Sequence, residues 1–203
     1  MRLLATLALA SSFVSSLALA DAPKATSLKV LDLEIVDRGG GKFTVRDDAY
    51  SLTFPGKPDA SVSPQQAPNG QPLEPASVMV ATNDDVYGFF MMPIPKELPY
   101  DVKVGMDAAR DGAFGNVQGK VTKEITTTLG GLTGRKSVGT ANFGGKNVTI
   151  ELTMAWDAGH HTLVSCFTAT TAAATTQADK DFIASFTVNP KGKNPPSPPV
   201  KKN

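Results

Sequence analysis

Apolar and polar residues alternate strictly from Val148 to Trp156, and this is the clearest pattern in the chain. Successive side chains of a β-strand point to opposite faces, so the alternation predicts a strand with one strongly buried face and one polar face. A turn at residues 157–159 and a second apolar run from His161 to Ala169 follow. Two such runs around a short glycine-containing loop predict a hairpin.

Two more strands are predicted before this hairpin. Residues 121–129 alternate, and the pattern places Val121 and Ile125 on the same face. A glycine pair then turns the chain, because glycine tolerates positive φ. The next strand is less regular, and Gly134 and Gly139 are interpreted as bulges. Since short connections make sequential strands antiparallel neighbours, the four strands together predict an antiparallel meander.

The upstream half of the chain predicts a mixture of strands and loops. Tyr50–Phe54 and Ala76–Ala81 are predicted strands, and Val86–Met92 is apolar on both faces. A strand without a polar face is expected to be covered on both sides. Five prolines in Gly56–Pro75 predict a loop without regular pairing. Leu28–Val36 is compatible with an arm strand or a short helix.

Two helices can supply the cover that the sheet needs. Asp101 is a good N-cap for the first, and Thr176 for the second, with Asp179 placed favourably for the helix dipole. Apolar residues recur at helical spacing in both: Val102, Met106, Ala109, Ala113 and Val117, then Ala178, Phe182, Ile183 and Phe186. The predicted fold class is α+β, an antiparallel β-sheet with helices packed on its faces.

The ends of the chain predict export and a single folded domain. Residues 1–20 have a basic start, an apolar stretch and a small-residue cleavage site, which are typical of a signal peptide. We expect an N-terminal arm over 21–47, one domain over 48–188 and a disordered Lys/Pro-rich tail over 189–203. The predicted compartment is periplasmic or extracellular, with no transmembrane segment after signal cleavage.

Charge and cysteine content limit the classes of partner and the covalent links that we expect for this chain. The 203 residues carry a formal net charge of +1, and removing the signal segment, which contains Arg2, leaves basic and acidic residues in balance. A balanced chain gives no reason to expect nucleic-acid binding or electrostatic docking to a membrane. Cys166 is the only cysteine, so no intramolecular disulfide can form. We expect it to be a small buried apolar side chain.

Few residues suggest a catalytic or metal-binding site. Asp157, His160 and His161 are weak candidates for a metal site, but adjacent strand histidines point to opposite faces, so a solvated turn is the favoured interpretation. A thiol nucleophile at Cys166 would lie too far along its strand from either histidine. No catalytic residue and no cofactor are predicted.

Two pairs of acidic residues occur in predicted loops, Asp47–Asp48 and Asp84–Asp85. Carboxylate oxygens can bind calcium, yet neither pair shows the spaced acidic pattern of a dedicated calcium loop. Both pairs are therefore interpreted as turn-capping residues.

Several segments together resemble exported bacterial proteins of the PsbP-like superfamily. These are Tyr50-Ser-Leu-Thr-Phe-Pro-Gly-Lys57, the strand ending near Met92, the helical Met106–Gly112, Gly131–Arg135, the Trp156 hairpin and Asp181–Phe186. The resemblance covers about Ala49 to Val188 and implies an α/β/α sandwich in a superfamily of mostly non-enzymatic binding and assembly proteins. It carries over no functional residue, because none here matches a defined site motif.

The resulting hypothesis is an exported protein of the cell envelope that binds an unknown protein or small ligand without catalysis. Its best site would be an apolar groove at Phe89, Met91 and Trp156, if no helix covers them. The alternatives are an enzyme whose active site is assembled from loops, including Gly56–Pro75, and an envelope structural protein docked by its cationic tail.

Overall fold

A computed structural model of the chain describes residues 33–67, 70–143 and 145–189, with Phe143 described by its backbone alone. The predicted signal segment, residues 28–32 and residues 190–203 of the predicted tail lie outside the described residues. The described elements are β1 (Glu34–Gly39), β2 (Lys42–Arg46), β3 (Tyr50–Phe54), β4 (Asp59–Val62), β5 (Gln65–Gln66), β6 (Pro72–Leu73), β7 (Ala76–Ala81), β8 (Asp85–Pro93), α1 (Val102–Gly115), β9 (Lys120–Leu129), β10 (Leu132–Phe143), β11 (Lys146–Asp157), β12 (Thr162–Thr170), α2 (Gln177–Ala184) and β13 (Thr187–Val188).

The strands form three antiparallel sheets. The large sheet has seven strands in the order β4-β7-β8-β12-β11-β10-β9, and the small sheet has the order β1-β2-β3-β13. Strands β5 and β6 pair only with each other. The predicted meander is confirmed, because β9, β10, β11 and β12 are hydrogen-bonded neighbours in chain order. With two helices beside these sheets, the chain is α+β.

The two faces of the large sheet belong to different hydrophobic clusters. Tyr87, Phe89 and Met91 of β8 pack with residues of the small sheet and α2. The opposite face packs with α1 through Ile150, Leu152 and Met154 of β11, among others. The predicted cover of β8 is confirmed on the first face. On the second face Val86, Phe90 and Met92 are only partly buried.

The predicted apolar face of β11 packs in the α1 cluster, and the opposite face, with its polar residues, is buried too. Glu151 is 3% exposed and Thr153 is 1% exposed. That face lies against the small sheet and α2. Ala155, two residues further on, packs in the cluster that these elements form with the large sheet. The Lys136 Nζ lies 2.6 Å from Glu151 Oε1, so the buried carboxylate has a charge partner. A buried charge is tolerated only when it is paired in this way.

The two glycines that were predicted as bulges behave differently. Val121 pairs with Gly139 and Lys123 with Val138, so Thr122 is the extra residue and the bulge lies in β9, opposite Gly139, instead of in β10 as predicted. The bulge turns Val121 towards the α1 cluster, whereas Ile125 is 42% exposed, so these two side chains do not share the predicted face. Gly134 keeps regular pairing. A Cβ there would lie 2.1 Å from the carbonyl oxygen of Met154, so close backbone approach explains this glycine.

The proline-rich Gly56–Pro75 segment contains regular pairing, which contradicts the loop prediction. Strand β4 pairs with β7, and β5 pairs with β6. The prolines at 58 and 64 flank β4 instead of interrupting it, and β4 is an edge strand that pairs on one side. At the N-terminal end, residues 34–36 are strand, and β2 pairs with β3. The boundary between arm and domain stays a prediction.

Both helices start as the sequence predicts. The Asp101 carboxylate accepts a hydrogen bond from the Val104 N–H. Thr176 and Asp179 form a reciprocal capping box at α2. The buried residues of α1 are Met106, Ala109, Ala113 and Phe114, which agree with the predicted stripe except for the added phenylalanine. None of the helices in the described residues has the length and hydropathy needed to cross a membrane.

We expect Gly134→Ala to lower the free energy of unfolding by about 1–3 kcal/mol, because the new methyl would overlap a carbonyl group. Gly115→Ala is the matched control. It lies at the end of α1, and a Cβ there meets nothing within 4 Å. Alanine favours helix over glycine, so this variant should be as stable as the wild type or more stable. Urea denaturation measures both, and equal midpoints for the two variants would contradict the close-approach explanation.

Candidate functional site

A cavity of about 420 Å³ opens on the α1 side of the large sheet. It lies at the end of the sheet that carries the β7–β8 and β10–β11 turns. We call it the apolar cavity, because its walls include Met79, Val86, Val117, Val148, Ile150, Phe167 and Ala169. Ligand pockets in proteins span roughly 300–1,000 Å³ and have mainly apolar walls. The apolar cavity therefore has the size and lining of a small-molecule site.

The position of α1 explains why this cavity exists. The helix packs on β9, β10 and β11, which occupy one half of the large sheet. Val117, just after the helix, forms one wall of the cavity. Strands β7 and β8 lie beyond the helix, so Met79 and Val86 are only partly buried. The open surface follows directly from a helix that covers less of the face than the sheet offers.

A charged cluster anchors α1 in this position. Asp107 and Arg110 of the helix meet Glu124 of β9 and Arg135 of β10. Arg110 Nη1 lies 3.1 Å from Glu124 Oε2, and Asp107 pairs with Arg135. Hydrogen bonds from Lys103 and Arg135 lower the pKa of Asp107 to about 2. These ion pairs therefore lie over the outer half of the sheet, away from β7 and β8.

Polar residues surround the mouth of the apolar cavity. Asp59 pairs with Met79 across β4 and β7, so its side chain is on the cavity side of the sheet. Lys146 alternates with Val148 along β11 and is on the same side. Asp84 is in the β7–β8 turn. Within the described residues, the carboxylates of Asp59 and Asp84 make no hydrogen bond or ion pair.

The predicted acidic pairs have different surroundings. Asp85 is directed to the opposite side of the sheet from Asp59, where its carboxylate accepts a hydrogen bond from the Tyr87 hydroxyl. Asp47 accepts hydrogen bonds from the backbone N–H groups of Ala49 and Tyr50, which confirms its predicted role in capping a turn. Burial raises the pKa of Asp47, although these backbone hydrogen bonds oppose the shift.

The structure does not bring Phe89, Met91 and Trp156 into one groove. Phe89 and Met91 are buried against the small sheet and α2. Trp156 is on the α1 side, where its ring stacks on Tyr100 at 4.9 Å between centroids. The alternation of side chains along a strand separates them, since Phe89 and its neighbour Phe90 point to opposite faces. A cavity of about 40 Å³ near Phe90 shares Ser77 with the apolar cavity.

The turn between β11 and β12 separates the two histidines. His160 Nδ1 lies 2.6 Å from Asp157 Oδ2, and Tyr50 donates to the same oxygen at 3.1 Å. His161, at φ 54°, instead places Nδ1 2.5 Å from the carbonyl oxygen of Ile94. No group of three His, Cys, Asp or Glu residues suited to a metal ion occurs in the described part of the chain.

Tyr50, Asp157 and His160 form a buried polar contact between the small and large sheets. Tyr50 and Asp157 are each 3% exposed. Burial alone would raise the pKa of Asp157, but hydrogen bonds from His160 and Tyr50 outweigh it and lower that pKa. Burial raises the pKa of the Tyr50 hydroxyl, so it stays protonated and donates. The sequence pattern missed this contact because 107 residues separate Tyr50 from Asp157.

Cys166 is fully buried, which confirms the prediction from its position in a strand. Burial raises the pKa of its thiol, and a protonated thiol is a poor nucleophile. The apolar cavity itself was not predicted. The unbroken apolar sequence of β8, combined with a helix of only 14 residues, was the signal that could have indicated an uncovered face.

Comparison with known proteins adds little to what the geometry of the site shows. No protein-family model and no curated protein matches the chain. Among solved structures, LpqN of Mycobacterium tuberculosis, described as involved in cell envelope biogenesis, matches with a TM-score of 0.38 and 15% identity over 78% of this chain and 91% of LpqN. PA94 of Pseudomonas aeruginosa, a protein of unknown function, matches with a TM-score of 0.31 and 10% identity over 72% of this chain and 85% of PA94. Likenesses this distant carry no argument about function, and they do not confirm the PsbP-like resemblance.

We expect Asp157→Asn to lower the free energy of unfolding by about 1–3 kcal/mol at pH 7, because it removes the negative charge and one oxygen of a buried carboxylate that accepts four hydrogen bonds. The folded-state pKa of Asp157 lies below its unfolded value, so its carboxylate stabilises the fold above about pH 4 and this contribution is lost as the pH falls through the folded-state pKa.

Denaturation curves at pH 7 and at pH 3 test this expectation. The difference between wild type and Asp157→Asn should shrink at the lower pH. Asp48→Asn, at an exposed position in the same region, is the control and should change stability by less than about 0.5 kcal/mol. A constant difference between the wild type and Asp157→Asn across this pH range would contradict the proposed stabilisation.

Proposed function

We propose that the protein is an exported, non-enzymatic binding protein that takes one small, mainly apolar ligand into the apolar cavity. The observation that carries this proposal is the cavity of about 420 Å³, walled by apolar side chains of the large sheet and Val117. Burial of apolar ligand surface contributes about 25 cal/mol per Å², so such walls supply binding energy without specialised chemistry.

The location of the titratable residues supports binding over catalysis. The contact of Tyr50, Asp157 and His160 is at the C-terminal end of β11. The cavity is at the N-terminal end of this strand, where Lys146 and Val148 lie. Cys166 faces the cluster on the other side of the sheet. The polar groups at the cavity are carboxylates, serines, threonines, an asparagine and a lysine, which suit recognition of a polar end group.

Export and a place in the cell envelope belong to the same proposal. The support is the signal-like composition of residues 1–20, together with the resemblance of residues 49–188 to the PsbP-like superfamily. The finer fold assignment, an α/β/α sandwich, rests on that resemblance too. The partner would then be a small envelope molecule.

Ala169→Leu tests the cavity directly, because Ala169 lines it and a leucine side chain would fill part of its volume. Binding of the neutral fluorescent probe N-phenyl-1-naphthylamine reports occupancy. We expect saturable binding to the wild type and about tenfold weaker binding to Ala169→Leu, which corresponds to ~1.4 kcal/mol.

Ala172→Leu provides the matched control, since Ala172 is exposed and does not line the cavity. It should bind the probe as the wild type does, and unfolding midpoints of both variants should show that they fold. No saturable binding to the wild type, or equal affinity in Ala169→Leu, would contradict the proposed function.

Export is tested by expressing the full chain in a secreting bacterial host and sequencing the N-terminus of the protein recovered outside the cytoplasm. We expect a mature protein that begins at Asp21, because Ala18-Leu-Ala20 supplies the small residues of a cleavage site. Recovery of uncleaved protein from the cytoplasm would contradict the proposed export.

A further inference from the structure

We infer that the ligand of the apolar cavity carries a cationic group beside its apolar body. This inference rests on the proposed function, because it concerns the same cavity and names the class of its ligand. It starts from two carboxylates at the cavity mouth, those of Asp59 and Asp84, which have no partner within the described residues. They are left available to a ligand.

The fold directs these carboxylates to the cavity. Strand β4 is the edge strand of the large sheet, and its register places Asp59 opposite Met79, a residue of the cavity wall. Side chains opposite each other on paired strands share a face, so the Asp59 carboxylate is on the side where the ligand would enter. Asp84 is two residues before Val86, another wall residue, in the β7–β8 turn at this end of the cavity.

The neighbouring charges do not neutralise this pair. Asp85 is held by the Tyr87 hydroxyl on the other side of the sheet, so it does not count as a mouth group. Lys146 is the only basic residue that lines the cavity in the described chain, and it enters from the β10–β11 turn across the cavity from β4. Two carboxylates without a partner in the described chain and one ammonium group thus line the cavity.

The negative character of the mouth is local. The whole chain has a formal net charge of +1, so an overall acidic surface does not explain it. A cleft with apolar walls and one predominant sign of charge focuses its field on a ligand of the opposite sign. The fitting class is an apolar molecule with an ammonium or similar cationic end, and an anionic amphiphile such as a fatty acid is disfavoured.

Displacement of N-phenyl-1-naphthylamine by three eight-carbon probes tests this inference: octylammonium, 1-octanol and octanoate. Their apolar bodies are alike, so differences report the end group. At low ionic strength we expect octylammonium to compete about fivefold better than octanoate, with octanol between them, which is the scale of exposed ion pairs. The preference should weaken as salt is raised, because salt screens exposed charges.

Three isosteric or near-isosteric variants locate the effect. The double variant Asp59→Asn with Asp84→Asn should abolish the preference for octylammonium and leave octanol unchanged. Lys146→Gln should increase the preference. Asp48→Asn, an exposed aspartate outside the cavity, is the control and should behave as the wild type.

The outcomes separate the two proposals. If octanol displaces the probe but octylammonium and octanoate compete equally, or octanoate competes better, the cationic class is overturned and the binding function stands. A preference that persists in the double variant also overturns it. If none of the three probes displaces N-phenyl-1-naphthylamine from the wild type, the cationic class fails together with the proposed function.

Discussion

The structure depends on covering both faces of the central strands β8, β12 and β11. Apolar side chains of these strands lie on both sides of the sheet, with Ala155 from β11 on the side of the small sheet, so neither face is stable in contact with water. The small sheet and α2 cover one face. Helix α1 covers the other face only in part, because its buried side chains pack on β9, β10 and β11. Its ion pairs with Glu124 and Arg135 lie over the same outer strands. The same constraint that builds the core therefore leaves the apolar cavity open at β7 and β8.

The charged side chains discussed above that lie inside this core have partners of complementary charge or hydrogen-bonding type, whereas the buried hydroxyls of Thr153 and Thr168 have none within the described residues. Lys136 pairs with the buried Glu151, and Tyr50 and His160 share the carboxylate of Asp157. The second contact joins the two sheets, so it contributes to fixing their relative position. These groups are used by the fold, which separates them from Asp59 and Asp84, whose carboxylates have no partner among the residues that the structure describes.

Local signals in the sequence were sufficient for most of the elements. The alternation around Trp156, the turn glycines and the caps at Asp101 and Thr176 all specify short-range structure, and the strands and helices occur where they predict. Contacts between segments that are far apart in the chain could not be predicted from such local signals. The burial of Glu151 and the contact between Tyr50 and Asp157 both depend on how the small sheet meets the large one, which no local pattern encodes.

The candidate site, too, could be predicted from the sequence only where local patterns determine it. Alternation could establish that Phe89 and Phe90 point to opposite faces, but it could not say which face a helix would leave open. The part of the face that α1 covers depends on its packing against β9, β10 and β11, which includes contacts between residues as far apart as Asp107 and Arg135. The cavity was consequently missed, and the three residues first grouped together fall on two sides of the sheet.

Methyl-resolved NMR titration of the protein with 1-octanol distinguishes the two faces of the large sheet in a single measurement. Ligand binding in the apolar cavity should shift the methyl signals of Val86, Val148 and Ile150, and leave those of Val78 and Val164, which pack in the other cluster, unchanged. Shifts concentrated at Val78 and Val164, or no saturable shift at any of these methyl groups, would contradict the assignment of the cavity as the binding site.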